Sequence, residues 1–514
     1  MSSPWTDDLV PGGARVSFPP PPPPPAWNPP PGGAGFSGAI AALVVVLLLG
    51  VLAIPASSFV RGDPSFWPAR WDPRIAPITQ RDEQLRGLTY THPVPVEFLS
   101  DKDFVKLVGG DNSPTTADRA EVEREAATFR ALGLISGKVD LPKVTKQASE
   151  AGVLAFYDFD KKEIVVRGTT LDVSHRATLS HELTHVLQDQ HFDLRAIENR
   201  ANRDDLHTGG SSGAMLALIE GDANNVMSGY LKGLSAADRK EYDREQNDQG
   251  NTLGKATVGV PAFVELLFGA PYDLGPLTIR VLKAGGGNSA INAALTGPTP
   301  TSADFVQAGL VVPPPPGLSA PTLSAGEHAE GRPESFGPFE TYLMLAARSD
   351  AANALTAADA VDAGRAQGFR KSGTYCYRAT LEIRDTTAAT YVAGALRQWE
   401  KSATGASLSQ SGTSLTFTAC DPGKSGAGPS PQRLSAAELL LGGRSGVAVG
   451  AAEKGVPPDA ARCVARLFAR NPSALTLLEQ AGRGTLSPAL TDRVRAQVQQ
   501  EAAECRDNPD SGLL

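Results

Sequence analysis

The chain has no excess of basic residues. Its 48 Lys and Arg are outnumbered by 56 Asp and Glu, which gives a formal net charge of −8 and a pI near 5.5. The 514 residues contain no basic stripe and no phosphate-cradling glycine loop, because the glycine triplet at 285–287 does not follow a strand-to-helix pattern and predicts a turn. Nucleic acid is therefore not expected as a partner.

Cysteine is scarce and shows no paired spacing. None of the four cysteines belongs to a C-x-x-C motif. This pattern favours two disulfides over a metal site and implies an oxidising compartment, with four free thiols in a cytosolic domain as the alternative. We expect Cys376 and Cys420 to meet across antiparallel strands. Cys463 and Cys505 are expected to join two helices in a hairpin.

Charge is absent from a long stretch near the N-terminus. Residues 1–35 are dominated by Pro and Gly, which predicts a disordered or polyproline II tail. Residues 36–60 carry no charge and are long enough to span a bilayer. We predict a transmembrane helix at 36–60, with the lipid bilayer as partner, and a juxtamembrane linker at 61–84. A signal peptide is the alternative.

Two opposing signals bear on the orientation of this span. Arg15 is the only basic residue before it, whereas three arginines follow between 61 and 74, so the positive-inside rule places the C-terminal part in the cytoplasm. The cysteine pattern and the size of the region beyond the span favour the opposite side. We predict a single-pass protein of the cell membrane whose large C-terminal part is extracytoplasmic.

Histidine is rare as well, with 7 in the chain, and two of them stand in the string His-Glu-Leu-Thr-His at 181–185. On an α-helix, His181 and His185 are four residues apart and project from one face. This spacing is typical of two histidines that bind one Zn²⁺, with Glu182 beside them as general base.

The flanking residues predict the required helix. No Pro or Gly occurs between 176 and 190, and apolar residues at 179, 183, 186 and 187 form one stripe opposite the histidines, which would then face a cleft. Asp172 or Ser174 is expected as the N-cap. The alternative is an amphipathic helix with two satisfied histidines, although a buried glutamate without a partner would be costly.

A catalytic zinc usually has three protein ligands and one water, so a third ligand is needed. Glu220 lies 35 residues after His185 (220 − 185), in a second predicted helix at about 212–231 that contains small residues suited to close packing. We predict Glu220 as this ligand, with an ordinary surface glutamate as the alternative. Further candidates are His191, His207 and Asp222.

The pattern His-Glu-x-x-His followed by a glutamate on a second helix resembles the gluzincin group of zinc metallopeptidases. More closely, the chain is similar to prokaryotic membrane-anchored or secreted gluzincin-like proteins over roughly residues 85–310. The segments that carry this resemblance are 155–158, 181–192, the stretch around Glu220, 271–275 and 290–302. The resemblance implies a metalloendopeptidase that uses a zinc-activated water and acts on a peptide or protein substrate.

The resemblance also suggests supporting residues. In thermolysin-like enzymes an Asp four residues after the ligand Glu orients a ligand His, but Asn224 stands here, and Asp189 or Asp222 are alternatives for that role. A donor to the tetrahedral intermediate is also needed, and the candidates are Tyr157, His207 and Tyr230. Two short strands are predicted at 153–157 and 163–167. By resemblance, this hairpin before the zinc helix would present an edge to an extended substrate, or it would be covered as a purely structural hairpin.

The predicted fold class is α+β. A zincin-like catalytic domain at 85–310 would combine a short sheet, the motif helix and the glutamate helix with a mainly helical second lobe. A Pro-rich linker at 311–335 would lead to a small α/β C-terminal region at 336–514 that bears the disulfides. In this region we expect strands at 375–384 and 414–420 and helices near 388–401, 459–470 and 491–504.

Three functions compete at this point. The leading hypothesis is a membrane-anchored zinc endopeptidase, which the presence of Glu182 favours. The second is a catalytically inactive zinc-site scaffold or binding protein at the cell surface, which Asn224 favours. The third is a zinc hydrolase acting on a non-peptide or cell-wall bond.

Overall fold

The computed structural model of the protein describes residues 67–109, 116–137, 152–256, 258–307 and 318–502, with the single positions 139, 150 and 505. The predicted tail at 1–35 and the predicted membrane span at 36–60 lie outside this part. None of the helices in the described ranges combines the length and the apolarity that a membrane crossing requires.

The fold is a mixture of helices and two separate sheets, which confirms the α+β class. The first sheet has the strand order β1–β3–β2 and is formed by β1 (Val96–Leu99), β2 (Ala155–Asp158) and β3 (Glu163–Arg167). β1 is parallel to β3, and β2 is antiparallel to β3 at the sheet edge. The predicted hairpin between β2 and β3 is therefore present. Its turn is fixed by Asp158, whose carboxylate accepts hydrogen bonds from the next backbone N–H groups at 160 and 161.

The helices that surround this sheet include both predicted metal-binding helices. In chain order they are α1 (Ala76–Arg86), α2 (Asp101–Gly109), α3 (Thr116–Leu132), α4 (Val173–Phe192), α5 (Leu194–His207), α6 (Ser212–Lys232), α7 (Ala236–Ala256), α8 (Ala262–Thr296) and α9 (Ala303–Val306). The turn predicted at 285–287 corresponds to a kink inside α8, where Gly286 and Gly287 leave the helical conformation.

Helices α6 and α8 pack with their backbones in contact. A Cβ atom on Gly221 would collide with the backbone of Gly275, and one on Gly275 would collide with the carbonyl of Ala217. The two glycines therefore let α8 approach α6 more closely than any side chain would permit. This contact places α8 beside the carboxylate of Glu220.

The second sheet is antiparallel, in the order β4–β6–β7–β9–β8, with β5 also paired to β6. Its strands are β4 (Glu327–Ala329), β5 (Glu334–Ser335), β6 (Val361–Lys371), β7 (Thr374–Ile383), β8 (Ser407–Ser411) and β9 (Ser414–Cys420). The accompanying helices are α10 (Pro338–Ala346), α11 (Ala351–Ala358), α12 (Thr386–Glu400), α13 (Pro431–Ala452), α14 (Pro458–Arg470), α15 (Ala474–Gly482) and α16 (Pro488–Ala502).

All four cysteines form disulfides, with the predicted partners. Cys376 on β7 lies opposite Cys420 on β9 in the strand register, and the two are bonded. Cys463 on α14 is bonded to Cys505. The expectation of two disulfides is therefore confirmed.

The largest hydrophobic core extends across the predicted linker. It contains buried side chains of α6 and α8, such as Ala217 and Leu274, together with Tyr342, Trp399 and Phe417 from the C-terminal half. The domain boundaries at 310 and 336 remain predictions. Packing nevertheless couples α8 to both halves of the chain.

Candidate metal site

Helix α4 carries the His-Glu-x-x-His motif and has well-defined ends. The side chain of Asp172 caps its start by accepting from the backbone N–H of His175 at 2.9 Å. Asp193 ends it in a left-handed conformation and at the same time caps the start of α5. The motif therefore lies in the middle of a 20-residue helix, where both histidine rings have fixed directions.

The face of α4 that carries the histidines is as buried as the apolar stripe. Leu179 and Leu183 on the stripe are 0% exposed, and His181 and His185 on the other face are 0% and 7% exposed. The sequence predicted a cleft on this side. In the described structure α6 instead packs on this side, and Glu220 of α6 contacts His181.

Three side chains converge between α4 and α6. The Nε2 atom of His181 lies 3.0 Å from Nε2 of His185 and 3.1 Å from an oxygen of Glu220. The second oxygen of Glu220 is 3.5 Å from Nε2 of His185. Their ligand atoms all lie within 4.8 Å of one another, so the group could hold a metal ion.

The spacing of these atoms fits a single first-row metal ion. Donors about 2.05 Å from a tetrahedral centre lie roughly 3.3 Å from each other. The observed separations of 3.0, 3.1 and 3.5 Å bracket that value. The buried Oε1 of Glu220 has no hydrogen-bond partner in the described part of the chain, which leaves it available to a cation. Two imidazoles and one carboxylate form a donor set that suits zinc.

The charges in the group favour a bound cation. Burial lowers the pKa of His185, but the carboxylates of Glu220 and Glu182 outweigh this effect and raise it to about 9. Burial raises the pKa of Glu220, but His185 and His181 outweigh this effect and lower it to about 2. The metal-free group therefore retains a proton among its donors, in the place that a metal ion would take.

A buried hydrogen-bond network fixes the ring of His185 through its Nδ1 atom. Its Nδ1 is 2.8 Å from Oε1 of Gln188, and the amide nitrogen of Gln188 donates to the carbonyl of Ile219 at 2.9 Å and to the carboxylate of Asp222 at 3.0 Å. Asp222 in turn accepts from Nε of Arg86 at 2.7 Å. All members of this network are buried, and it connects α1, α4 and α6.

Glu182 lies in the same buried space but does not belong to the three-donor group. Its carboxylate accepts the backbone N–H of Tyr157 at 2.9 Å, on the outer side of the edge strand β2. Burial raises the pKa of Glu182, while the two histidines lower it. The carboxylate is thus held beside the metal-binding atoms by one main-chain hydrogen bond.

Tyr272 on α8 interacts electrostatically with two carboxylates of the site. The side chain is 4% exposed, and its hydroxyl is buried without a hydrogen-bond partner in the described part of the chain. Burial raises the pKa of Tyr272, and the carboxylates of Glu220 and Glu182 raise it further. The hydroxyl is therefore a neutral donor near both carboxylates.

The other predicted site residues lie at various distances from the group. The hydroxyl of Tyr157 donates to Asp189 at 2.6 Å, and Lys162 binds the same carboxylate oxygen. Tyr230 is half-buried in the core beneath the first sheet. The remaining candidates lie away from the histidine rings: Asn224 is half-buried, His207 is exposed at the end of α5, and His191 is exposed beside the carbonyl of Thr89.

Sequence reasoning missed Gln188 and Tyr272. Gln188 follows His185 by three residues on one helix, and this i, i+3 spacing was a usable signal. Tyr272 stood in the segment 271–275 that carried part of the resemblance, but nothing in the sequence indicated that it would face Glu220.

No protein-family model matches the chain, and comparisons with curated proteins and with solved structures give no match.

Proposed function

We propose that this protein is a zinc-dependent metallopeptidase of the gluzincin type, anchored in the cell membrane with its catalytic part outside the cytoplasm. The observation that carries the proposal is the convergence of His181, His185 and Glu220 with a fourth side chain, Glu182, left outside the donor set. A general base and a three-ligand metal site are the two parts that metal-assisted hydrolysis needs.

Each residue of the site has a separate role in the proposed reaction. His181, His185 and Glu220 would hold the zinc ion, which when bound lowers the pKa of a water to near 7 and polarises a carbonyl group. Glu182 would serve as the general base that accepts a proton from the attacking water and returns one to the leaving amine. Its raised pKa is suited to this transfer, because a carboxylate that is too acidic returns a proton poorly.

Tyr272 supplies a donor for the developing negative charge on the substrate oxygen. Its hydroxyl is buried, unpartnered within the described chain and protonated over the physiological range, so its proton is free for an oxyanion. None of the three donors expected from the sequence combines these properties. Tyr157 already donates to Asp189, His207 is exposed, and Tyr230 packs under the sheet.

Substrate binding requires a change at the edge strand. The backbone N–H of Tyr157 on β2 donates to Glu182, so an extended peptide that paired with β2 would displace this bond. Such displacement would free the carboxylate of Glu182 when substrate arrives.

Burial of the donors favours a second candidate, a scaffold protein with a structural metal site. His181 and Glu220 are 0% exposed and Glu182 is 2% exposed. Structural sites are closed, whereas catalytic sites keep one open position. The scaffold would bind the metal equally well but would have no use for Glu182 as a base.

A peptide-library digestion separates the two candidates. Full-length zinc-loaded protein is incubated with the library with and without a chelator, next to Glu182→Gln and the control Glu241→Gln on α7. We expect chelator-sensitive cleavage, lost by about 10²–10⁴-fold in Glu182→Gln and kept in Glu241→Gln. Metal content is measured on every variant. A fully metallated wild type that cleaves no peptide would favour the scaffold.

A further inference from the structure

Three arginines surround one carboxylate where α11, α12, α13 and α14 meet. Arg444 on α13 binds both oxygens of Asp359, at 2.8 and 3.0 Å. Arg384, just before α12, donates to the main-chain oxygen of Asp359 at 3.1 Å. Arg470, the last residue of α14, interacts electrostatically with Asp359, Arg444 and Arg384. We call these three residues the arginine cluster.

The cluster contains buried donors without acceptors. In the described part of the chain, Nε and Nη2 of Arg470 and Nη2 of Arg384 are buried and have no hydrogen-bond partner. Nη2 of Arg444 also lacks a hydrogen bond, although it lies 2.8 Å from an oxygen of Asp359 as an ion pair. Buried guanidinium N–H groups without acceptors are costly, so native structures rarely leave them in this state.

The carboxylates near the cluster are unevenly distributed among the three arginines. Asp385, at 3.8 Å, and Asp362 both interact with Arg384, and Asp359 forms the ion pair with Arg444. Arg470 has no ion pair of its own among the described residues and shares Asp359 with the other two arginines. Burial lowers the pKa of Arg470, Asp359 opposes this effect, and Arg444 lowers the pKa further. A half-buried guanidinium group without an ion pair of its own is stabilised by a bound anion.

We propose that the arginine cluster binds a small tetrahedral oxyanion of the phosphate or sulfate type. Guanidinium groups present forked N–H donors that match the oxygens of such ions, and several can share one ion. The side chain of Arg384 is 26% exposed, so the ion can enter from solvent on that side. The cluster is built from helices of the C-terminal half and is independent of the metal site.

Phosphate titration of thermal unfolding tests this site. The Tm of zinc-loaded full-length protein is measured against rising inorganic phosphate, with NaCl lowered to keep the ionic strength constant. We expect a saturable rise in wild type, an at least tenfold weaker phosphate response in Arg470→Gln, and a wild-type response in Arg483→Gln. Arg483 is a suitable control because its side chain is 57% exposed on the neighbouring surface. A parallel sulfate series shows which oxyanion is preferred, and general salt stabilisation cancels because it acts equally on all variants.

The same variants separate ligand binding from a structural role. Because Arg470 has no ion pair of its own, we expect Arg470→Gln to unfold at the same Tm as wild type or higher without phosphate or sulfate. Arg470→Lys should recover part of the phosphate response, since it keeps the charge but not the fork. The proposal is overturned if wild type and Arg470→Gln respond to phosphate equally. It is also overturned if Arg470→Gln lowers Tm in phosphate-free buffer and wild type shows no saturable response.

Discussion

At the scale of single residues, the amide of Gln188 determines which nitrogen of His185 faces Glu220. Its NH₂ group donates to two acceptors, the carbonyl of Ile219 and the carboxylate of Asp222, so its oxygen must point at Nδ1 of His185. Nδ1 therefore keeps its proton when His185 becomes neutral, and Nε2 is the nitrogen whose lone pair a metal ion would take. The ion pair between Asp222 and Arg86 keeps that carboxylate an acceptor.

This arrangement predicts a metal-affinity defect in Gln188→Ala. Without the amide, His185 loses the hydrogen bond that fixes its ring, and zinc should bind about 10–100-fold more weakly. A competition titration with a chromophoric chelator measures the change. Gln190→Ala is the matched control, because Gln190 lies on the same helix but bonds only to the segment at 91–92. Equal affinities in the two variants would contradict the assigned role of Gln188.

Tyr272→Phe tests the oxyanion donor. Removal of one hydroxyl from a preorganised site should lower kcat by about 10²–10³-fold and leave KM and zinc content nearly unchanged. Steady-state kinetics on a cleaved peptide gives both constants. Tyr230→Phe should retain wild-type kcat, since Tyr230 packs beneath the first sheet. A large rise in KM with unchanged kcat would instead assign Tyr272 to substrate binding.

At the scale of elements, the metal group depends on how closely α6, α4 and α8 approach one another. Glu220 contacts His181 because α6 packs on the histidine face of α4. Tyr272 interacts electrostatically with Glu220, and α8, which carries Tyr272, packs on α6 at Gly221 and Gly275. The position of α8 beside the site therefore depends on glycine at 221 and 275, where any side chain would keep α6 and α8 apart.

Gly221→Ala should disturb both stability and the site. Its Cβ would meet the backbone of Gly275, which cannot rotate away, so the free energy of unfolding should fall by about 1–3 kcal/mol and zinc affinity should fall with it. Urea unfolding and a zinc titration measure the two effects. Gly254→Ala on α7, where nothing lies within 4 Å, should instead be neutral or stabilising by up to about 1 kcal/mol. Equal changes in stability and zinc affinity in the two variants would contradict this role of Gly221.

The sequence predicted elements that have strong local signals. The motif helix α4, the helix α6, the hairpin β2–β3 and strands β7 and β9 are present within a few residues of the predicted bounds. Strand β6 and helix α13 were missed because glycines interrupt their patterns. Gly364 in β6 is needed where the carbonyl of Phe336 comes close, and Gly443 in α13 is needed where Leu478 packs. Such requirements arise from tertiary contacts and leave no periodic signal in the sequence.

At the scale of the whole molecule, the two halves of the chain are joined by shared packing and capped helix ends. Arg365 on β6 donates to the carbonyl of Asp205 at 2.6 Å and to that of Leu206, the last carbonyls of α5. Arg86 and Asp222 are 136 residues apart in sequence. The helical spacing in the sequence predicts that His181 and His185 lie together. It does not predict the pairing of residues far apart in the chain, because neither local sequence carries information about its partner.

The two disulfides should contribute stability through the unfolded chain. They close loops of 44 and 42 residues, and loop-closure entropy predicts about 4 kcal/mol for each. The double variant Cys463→Ser with Cys505→Ser should lower the urea midpoint accordingly, as should reduction of the wild type. The double variant Cys376→Ser with Cys420→Ser is the matched comparison. Unfolding that is insensitive to reductant and to both double variants would contradict this estimate.

Metal stoichiometry tests the central claim most directly. Full-length protein is saturated with zinc, freed of excess, and analysed by elemental mass spectrometry beside Glu220→Ala and Glu241→Ala. We expect one zinc per chain in wild type and in Glu241→Ala, and much less than one in Glu220→Ala. Wild-type protein that retains no zinc, or a Glu220→Ala variant that retains a full equivalent at wild-type affinity, would contradict a metal ion held by His181, His185 and Glu220.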